Sequence, residues 1–304
     1  MSSPRPDLLD PSALSALGNL EMVARWVVDG FLTGLHRSPR KGFSVEFAEH
    51  RPYQPGDDLR YLDWRIAARA DRWVVKQFEE ETNTRALLVL DVSASMRWTG
   101  RPERLTKLAY AERVLGALGL LFLRQRDAVG LVRADTSVRS VVPPSSRGGQ
   151  WWRLAAALAE PGGGTGTDLV AALGQAAHLT RRPGFIVLVS DLLVEPAPVL
   201  DQLRTLRARG HEVLVLQVLD PLERDFPAGG EALFVDPETG TAVPASPDEV
   251  RRLYQDTVQR ALAEWRDGIL QLGARYALAW TDDPFGNPLR ALVRATGRGP
   301  MPIA

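Results

Sequence analysis

From about residue 84 onward, apolar positions along this chain follow two alternating rhythms. "RALLVLD" (85–91), "DAVGLVRA" (127–134), "GFIVLVSD" (184–191) and "HEVLVLQVLD" (211–220) are short, nearly continuous apolar runs, the pattern of strands buried on both faces. Between them lie stretches with apolar residues at helical spacing: "ERLTKLAYAERVLGALGLLFLRQ" (103–125), "QWWRLAAALAE" (150–160), "DLVAALGQAAHLTRR" (168–182) and residues 196–209. "SVRSVV" (137–142) follows its predecessor too closely for a parallel crossover, which predicts an antiparallel edge strand. "EALFVDPETGTAV" (231–243) predicts a hairpin about a Pro-Glu-Thr-Gly turn. A long helix (247–273), a strand "RYALAW" (275–280) and a last helix (287–295) complete the chain. Apolar strands separated by helices predict an α/β domain: a mostly parallel central sheet with helices on both faces.

The first 83 residues read differently. Residues 1–35 are amphipathic, with Leu20, Val23, Val27 and Phe31 at helical spacing. Residues 36–83 are dense in charge, yet hold Tyr53, Tyr61, Trp64 and Trp73, too many aromatics for a disordered linker. A folded, irregular segment packed on the following domain is predicted, with Asp57, Asp58 and Asp63 pairing with Arg60, Arg65 and Arg69. The expected division is therefore an N-terminal segment, 1–83, and an α/β domain, 84–304.

Composition narrows the function classes. A formal net charge of zero over 304 residues favours neither nucleic acid nor an anionic membrane. The chain has no cysteine, which excludes disulfides, thiolate metal sites and cysteine nucleophiles. Lys41, Lys76 and Lys107 are the only lysines. The N-terminus lacks the basic and apolar regions of a signal peptide. The longest apolar run, "VLGALGLLFL" (114–123), is far short of the roughly 20 residues needed to cross a bilayer. A soluble, cytoplasmic protein is expected.

The candidate chemistry lies at strand ends. Asp91, Ser93 and Ser95 follow one predicted strand, Asp191 ends another, and "PGGGTGTD" (161–168) carries Thr165, Thr167 and Asp168. Ligands of open parallel sheets bind beyond the carboxyl ends of the strands. A phosphatase-like nucleophilic Asp91 lacks a second carboxylate two residues on, where Ser93 stands, and no lysine follows Lys107. A nucleotide loop of the Walker type needs a lysine that the glycine-rich loop lacks. A hard-metal site fits better, since magnesium and manganese take carboxylates, neutral hydroxyls and waters. Taken singly, each serine and aspartate could equally cap a helix; the metal reading rests on their convergence.

Those residues resemble a known pattern. Asp91-x-Ser93-x-Ser95, "GGTGT" with Thr165, and "LVSD" ending at Asp191 resemble the metal-ion-dependent adhesion site of von Willebrand factor type A domains. The resemblance implies a Rossmann-like fold and magnesium (or manganese) held by Asp91, Ser93, Ser95, Thr165 and Asp191, with Thr167 and Asp168 behind them. It also implies a partner protein that supplies a carboxylate to the metal. Upstream, "YQPGDDLRYLDW" and "VKQFEEE" resemble the hallmark of family 58 of the bacterial domains of unknown function. That resemblance implies a non-catalytic adaptor or co-chaperone of a MoxR-type AAA+ ATPase. The alternative is a metal-dependent phosphohydrolase or nucleotide-binding enzyme using Asp91. Trp98, beside the candidate site, and Trp64 and Trp73 upstream are the candidate partner contacts, because tryptophan dominates interface hot spots.

Overall fold

The structure, a computed structural model, describes residues 20, 22–25, 27–28, 50–53, 73–76, 84–226, 232–236 and 238–295. His50–Pro52 (β1) and Val74–Lys76 (β2) form an antiparallel pair, closed by the Tyr53 N–H donating to the Trp73 carbonyl at 2.8 Å. Strands this short carry no readable period, which is why the sequence there reads as irregular. Trp64 and the expected aspartate–arginine pairs of residues 57–69 lie outside the described residues.

From residue 85 the strand–helix alternation is as predicted, except for a short helix at Pro221–Asp225 that the periodicity does not show. In order come Arg85–Asp91 (β3), Lys107–Arg124 (α1), Ala128–Ala134 (β4), Val138–Ser145 (β5), Gln150–Leu158 (α2), Leu169–Leu179 (α3) and Phe185–Ser190 (β6). Pro196–Ala208 (α4), Glu212–Leu219 (β7), Pro221–Asp225 (α5), Ala232–Val235 (β8) and Ala242–Ala245 (β9) follow. Pro247–Gln271 (α6), Arg275–Trp280 (β10) and Gly286–Ala295 (α7) end the described chain. The sheet order is β10-β7-β6-β3-β4-β5. All its neighbours are parallel except β4 and β5, so β5 is the expected antiparallel edge.

The period of two along β3 divides the core. Ala86, Leu88 and Leu90 face one apolar layer, shared with α1, α2, α7 and the N-terminal Val23, Val27 and Val28. Leu87 and Val89 face the other, under α3, α4 and α6. Each buried valine or leucine contributes about 1.5–3 kcal/mol relative to exposure, so a one-residue slip of β3 would forfeit both layers. No helix among the described residues is long and apolar enough to cross a membrane.

Topology places the site. The chain moves from β3 outward to β4 and β5, then returns to β6 on the other side of β3 and continues to β7 and β10. Direction therefore reverses between β3 and β6, and the crevice beyond their carboxyl ends is where such sheets bind ligands. Asp91 and Asp191 stand there. The glycine-rich loop is drawn to the same edge by β4. Asp168 donates its N–H to the Asp135 carbonyl at 2.6 Å, and a Cβ on Gly164 would lie 2.2 Å from Asp135 Cγ. Asp135 is fully buried and paired with Arg139 at 2.6 Å, so it cannot yield. Gly164→Ala is expected to destabilise the protein by about 1–3 kcal/mol. Gly163→Ala, where a Cβ meets nothing within 4 Å, should stay within roughly 0.5 kcal/mol of wild type. Thermal unfolding of the two variants side by side checks this; equal melting temperatures would refute the wedge.

Candidate functional site

Asp91 closes β3 fully buried. Its Oδ1 accepts the Ser93 N–H at 2.9 Å, a local turn that brings Ser93 back beneath the strand end. Its Oδ2 accepts the Ser190 hydroxyl at 2.6 Å. The Ser93 and Ser95 hydroxyls lie 3.1 Å apart. Both serines are buried. Neither caps a helix: the short 3-10 turn Ser95–Arg97 begins after Ala94 and has no side-chain cap. Burial first, and then the charge of Asp191, pushes the Asp91 carboxyl up to about 7, against the hydrogen bonds from Ser190 and Ser93.

Asp191 is not a cap either, since α4 starts from Glu195. Its Oδ2 receives the Lys107 ammonium at 2.8 Å, and the same ammonium reaches Glu223 Oε1 at 2.7 Å. Lys107 is 1% exposed. It sits in the first turn of α1, the positive end of the helix dipole and an unfavourable place for a cation. The two carboxylates decide the outcome. Burial works against the charge, but Asp191 and Glu223 outweigh it and hold the ammonium above the ordinary lysine range. Burial likewise raises Glu223, with Lys107 opposing it. Trp98, 37% exposed, covers Lys107 with its ring centroid 5.8 Å from Nζ, so it does stand at the rim of the site.

Sequence reasoning missed three members of this cluster. Ser190 was readable only as the residue before a strand-end aspartate. Glu223 had a signal: "DPLE" is a capping box with proline at the first helical position. Asp220 Oδ1 accepts the Leu222 N–H at 2.8 Å, and Glu223 Oε2 accepts the Asp220 N–H at 2.6 Å, which fixes Glu223 toward Lys107. Lys107 had none, because its carboxylates are 84 and 116 residues away.

The backbone after Asp191 is strained. Leu192 has φ +58°, a conformation costing a non-glycine residue about 1–2 kcal/mol. It is held there from every side. Its N–H donates to Ser190 Oγ at 2.9 Å, its carbonyl accepts from Trp265 Nε1 at 3.1 Å, and its side chain is buried. The Asp191 carbonyl accepts from Gln217 Nε2 at 2.8 Å, and Gln217 Oε1 accepts the Tyr276 hydroxyl at 2.7 Å.

The threonine loop is stapled to the serines by Arg97, which donates to the carbonyls of Gly162 at 3.3 Å and Gly164 at 3.1 Å. Thr165 is exposed on that loop. Thr167 donates its hydroxyl to Glu238 Oε1 at 3.0 Å. Asp168, expected behind the ligands, serves as the N-cap of α3 and accepts the Ala171 N–H at 2.8 Å. Trp73 is 51% exposed on the β1–β2 pair, and Trp64 lies outside the described residues. Of the adjacent tryptophans, Trp151 is buried and Trp152 exposed, as one helix face requires.

Does a metal fit this donor set? Among the described residues no three His, Asp or Glu side chains form a metal cluster, so a centre here must be built largely from hydroxyls. The Lys107 ammonium contacts Asp191 and Glu223, and among the described residues no ion pair reaches Asp91. Negative charge is left over at Asp91, beside two neutral hydroxyls. A hard divalent cation matches that donor set. The residues fit.

Lys107→Met is expected to cost about 3–5 kcal/mol, because it leaves the buried Asp191 and the half-buried Glu223 unpaired. Adding Asp191→Asn and Glu223→Gln should recover most of it. Denaturant unfolding reads both, and a loss below about 1 kcal/mol for Lys107→Met would refute the clamp. Asp91 sets a pH dependence. Its folded value lies above its ordinary 3.8, so the folded state holds the proton more tightly. In chelator, that stabilisation is complete at low pH and is lost as pH rises through about 7. Relative to Asp91→Asn, the wild-type melting temperature should fall on the order of 5 °C between about pH 5 and about pH 8. Parallel curves would mean that Asp91 ionises normally.

Uncharacterized proteins of Mycobacterium bovis and Mycobacterium tuberculosis are each 32% identical over 269 residues, covering 86% of this chain and 81% of theirs. Three solved structures align with this chain at low identity. An aerotolerance-related membrane protein from Bacteroides fragilis is 17% identical, with TM-score 0.49, over 71% of this chain and 99% of that one. BatB from Bacteroides thetaiotaomicron is 15% identical, with TM-score 0.46, over 70% and 99%. The VWA domain of SpRpn10 is 10% identical, with TM-score 0.44, over 73% and 99%. Residues 49–264, well over half of the chain, match the family described as Protein of unknown function DUF58, and the chain belongs to that family.

Proposed function

We propose that this chain is a non-catalytic, divalent-metal-dependent protein-interaction module. The supporting observation is Asp91: a buried carboxylate beside the Ser93 and Ser95 hydroxyls, facing Asp191, while the neighbouring Lys107 ammonium contacts Asp191 and Glu223 instead. Asp91, Ser93, Ser95 and Thr165 would hold magnesium or manganese, with Asp191 directly or through water. Bound there, the ion supplies an electrophilic position for a carboxylate oxygen of a partner protein. The chain's own groups do the rest. Lys107 keeps Asp191 in place and lowers the net charge of the site, Ser190 orients Asp91, and Arg97 holds the threonine loop against the serines. Trp98 offers a partly exposed aromatic surface at the rim. In line with the family resemblance, the partner is proposed to be a MoxR-type AAA+ ATPase or its client, in the cytoplasm, with neither nucleic acid nor membrane insertion involved.

A second reading has one observation in its favour. Lys107, although upstream, reaches Asp191 in space, so the aspartate–lysine pair of a phosphohydrolase is present after all. Against it, that ammonium is buried between two carboxylates, and both Asp91 oxygens already accept hydrogen bonds. No general acid stands two residues on from Asp91.

Calorimetry of metal-stripped protein with magnesium and manganese is the test. Wild type should bind one ion, and both Asp91→Ala and Ser93→Ala should weaken binding at least about tenfold, roughly 1.4 kcal/mol. Absence of binding by the wild type would refute the proposal. Magnesium-dependent turnover of para-nitrophenyl phosphate that Asp91→Ala abolishes would favour the hydrolase instead.

A further inference from the structure

The β8–β9 hairpin stands apart from the central sheet, and its tip reaches the threonine loop. Its turn, Asp236 to Thr241, is complete in itself. Asp236 Oδ1 accepts the Glu238 N–H at 2.8 Å, Asp236 Oδ2 accepts the Thr239 hydroxyl at 2.7 Å, and the Asp236 carbonyl accepts the Gly240 N–H at 2.8 Å. Gly240, at φ +72°, closes it. None of these bonds uses the Glu238 carboxylate. That group projects away, with Oε1 accepting the Thr167 hydroxyl at 3.0 Å and Oε2 only 3.8 Å from where a Cβ on Gly166 would stand.

Two features leave this contact easy to displace. First, the acceptor is an anion, yet its partner is a neutral hydroxyl, and no ion pair involves Glu238 among the described residues. Second, the hairpin is loosely seated. Leu233, Val235 and Val243 are more than half exposed. An apolar cavity of about 390 Å³ lies between Phe234 and Val243 of the hairpin and Val250, Leu253 and Thr257 of α6, beside Phe226 and Tyr254, whose ring centroids are 4.3 Å apart. Apart from the stacking of Phe226 on Phe234, at 5.3 Å between centroids, little burial would be lost on lifting the arm.

We infer that Glu238 is an internal carboxylate that occupies, in the free chain, the place a partner's carboxylate takes, so that the hairpin is an autoinhibitory arm which a partner must displace. The inference rests on the metal reading of the site. It names the regulation of that site: the chain supplies its own weak competitor, tethered at high effective concentration. Glu238 contacts the loop that carries Thr165 and that Arg97 fastens to the serine loop. The Glu238 carboxylate thus lies against Thr167, two residues along the same loop from Thr165.

The test uses the full chain with manganese as the probe and water-proton relaxation as the readout, in wild type, Glu238→Ala and Glu238→Gln. Glu238→Gln keeps an acceptor for Thr167 while removing the charge, and neither change touches the bonds of the turn. With manganese bound, acetate should displace coordinated water from both variants at concentrations at least about tenfold lower than from wild type, because the tethered competitor is gone. Without metal, Thr167→Val should speed amide exchange at residues 238–241 of the hairpin tip, as expected if the hydroxyl is what holds it. Manganese bound equally by all forms with one acetate midpoint, or a tip whose exchange is unchanged in Thr167→Val, overturns the arm and leaves the metal reading standing. No manganese bound by any form overturns both.

Discussion

The site end of this molecule depends on one buried ammonium. Lys107 enters from the first turn of α1, where the helix dipole opposes it, and is held between Asp191 at the end of β6 and Glu223 after β7. A lone charge at that depth would be neutralised rather than tolerated. Among the described residues Asp191 and Glu223 have no other ion-pair partner, so the ammonium and the two carboxylates depend on one another. The cluster also joins a helix to two strand ends that the chain visits far apart, so the geometry of the crevice between β3 and β6 follows from where the pair can meet.

A consequence falls on Asp91. One ammonium shared by two carboxylates leaves the third without an ion pair among the described residues, with hydrogen bonds from the Ser190 hydroxyl and the Ser93 amide to hold it. That imbalance is the physical reason for reading the strand-end cluster as a cation site rather than as a set of helix caps. The neighbouring strain at Leu192 fits the same logic. The backbone turns sharply after Asp191 so that the carboxylate can face Lys107, and the bonds from Ser190 and Trp265 hold the turn.

The loop opposite is positioned by exclusion. Asp135, buried under its pairing with Arg139, leaves no room for a side chain at Gly164. Arg97 then ties the loop's carbonyls to the turn that bears Ser95. Thr165 is left exposed and Thr167 engaged with Glu238. The two threonines are two residues apart in sequence and have different surroundings.

What the sequence by itself determined was everything recorded in local periodicity and residue type. The alternation of Leu87 and Val89 against Leu88 and Leu90 specified a strand covered on both faces, and the short link after Ala134 required an antiparallel edge. Asp91, Ser93, Ser95 and Asp191 were legible because strand ends in such sheets are known positions. Tertiary structure alone decided which charges meet. Lys107 with Asp191 and Glu223, Ser190 with Asp91, and Thr167 with Glu238 are separated by 84, 116, 99 and 71 residues. Periodicity reports whether a side chain is buried, not what it is buried against; the partners of a buried charge are set by how the strands are ordered and where the helices cross them.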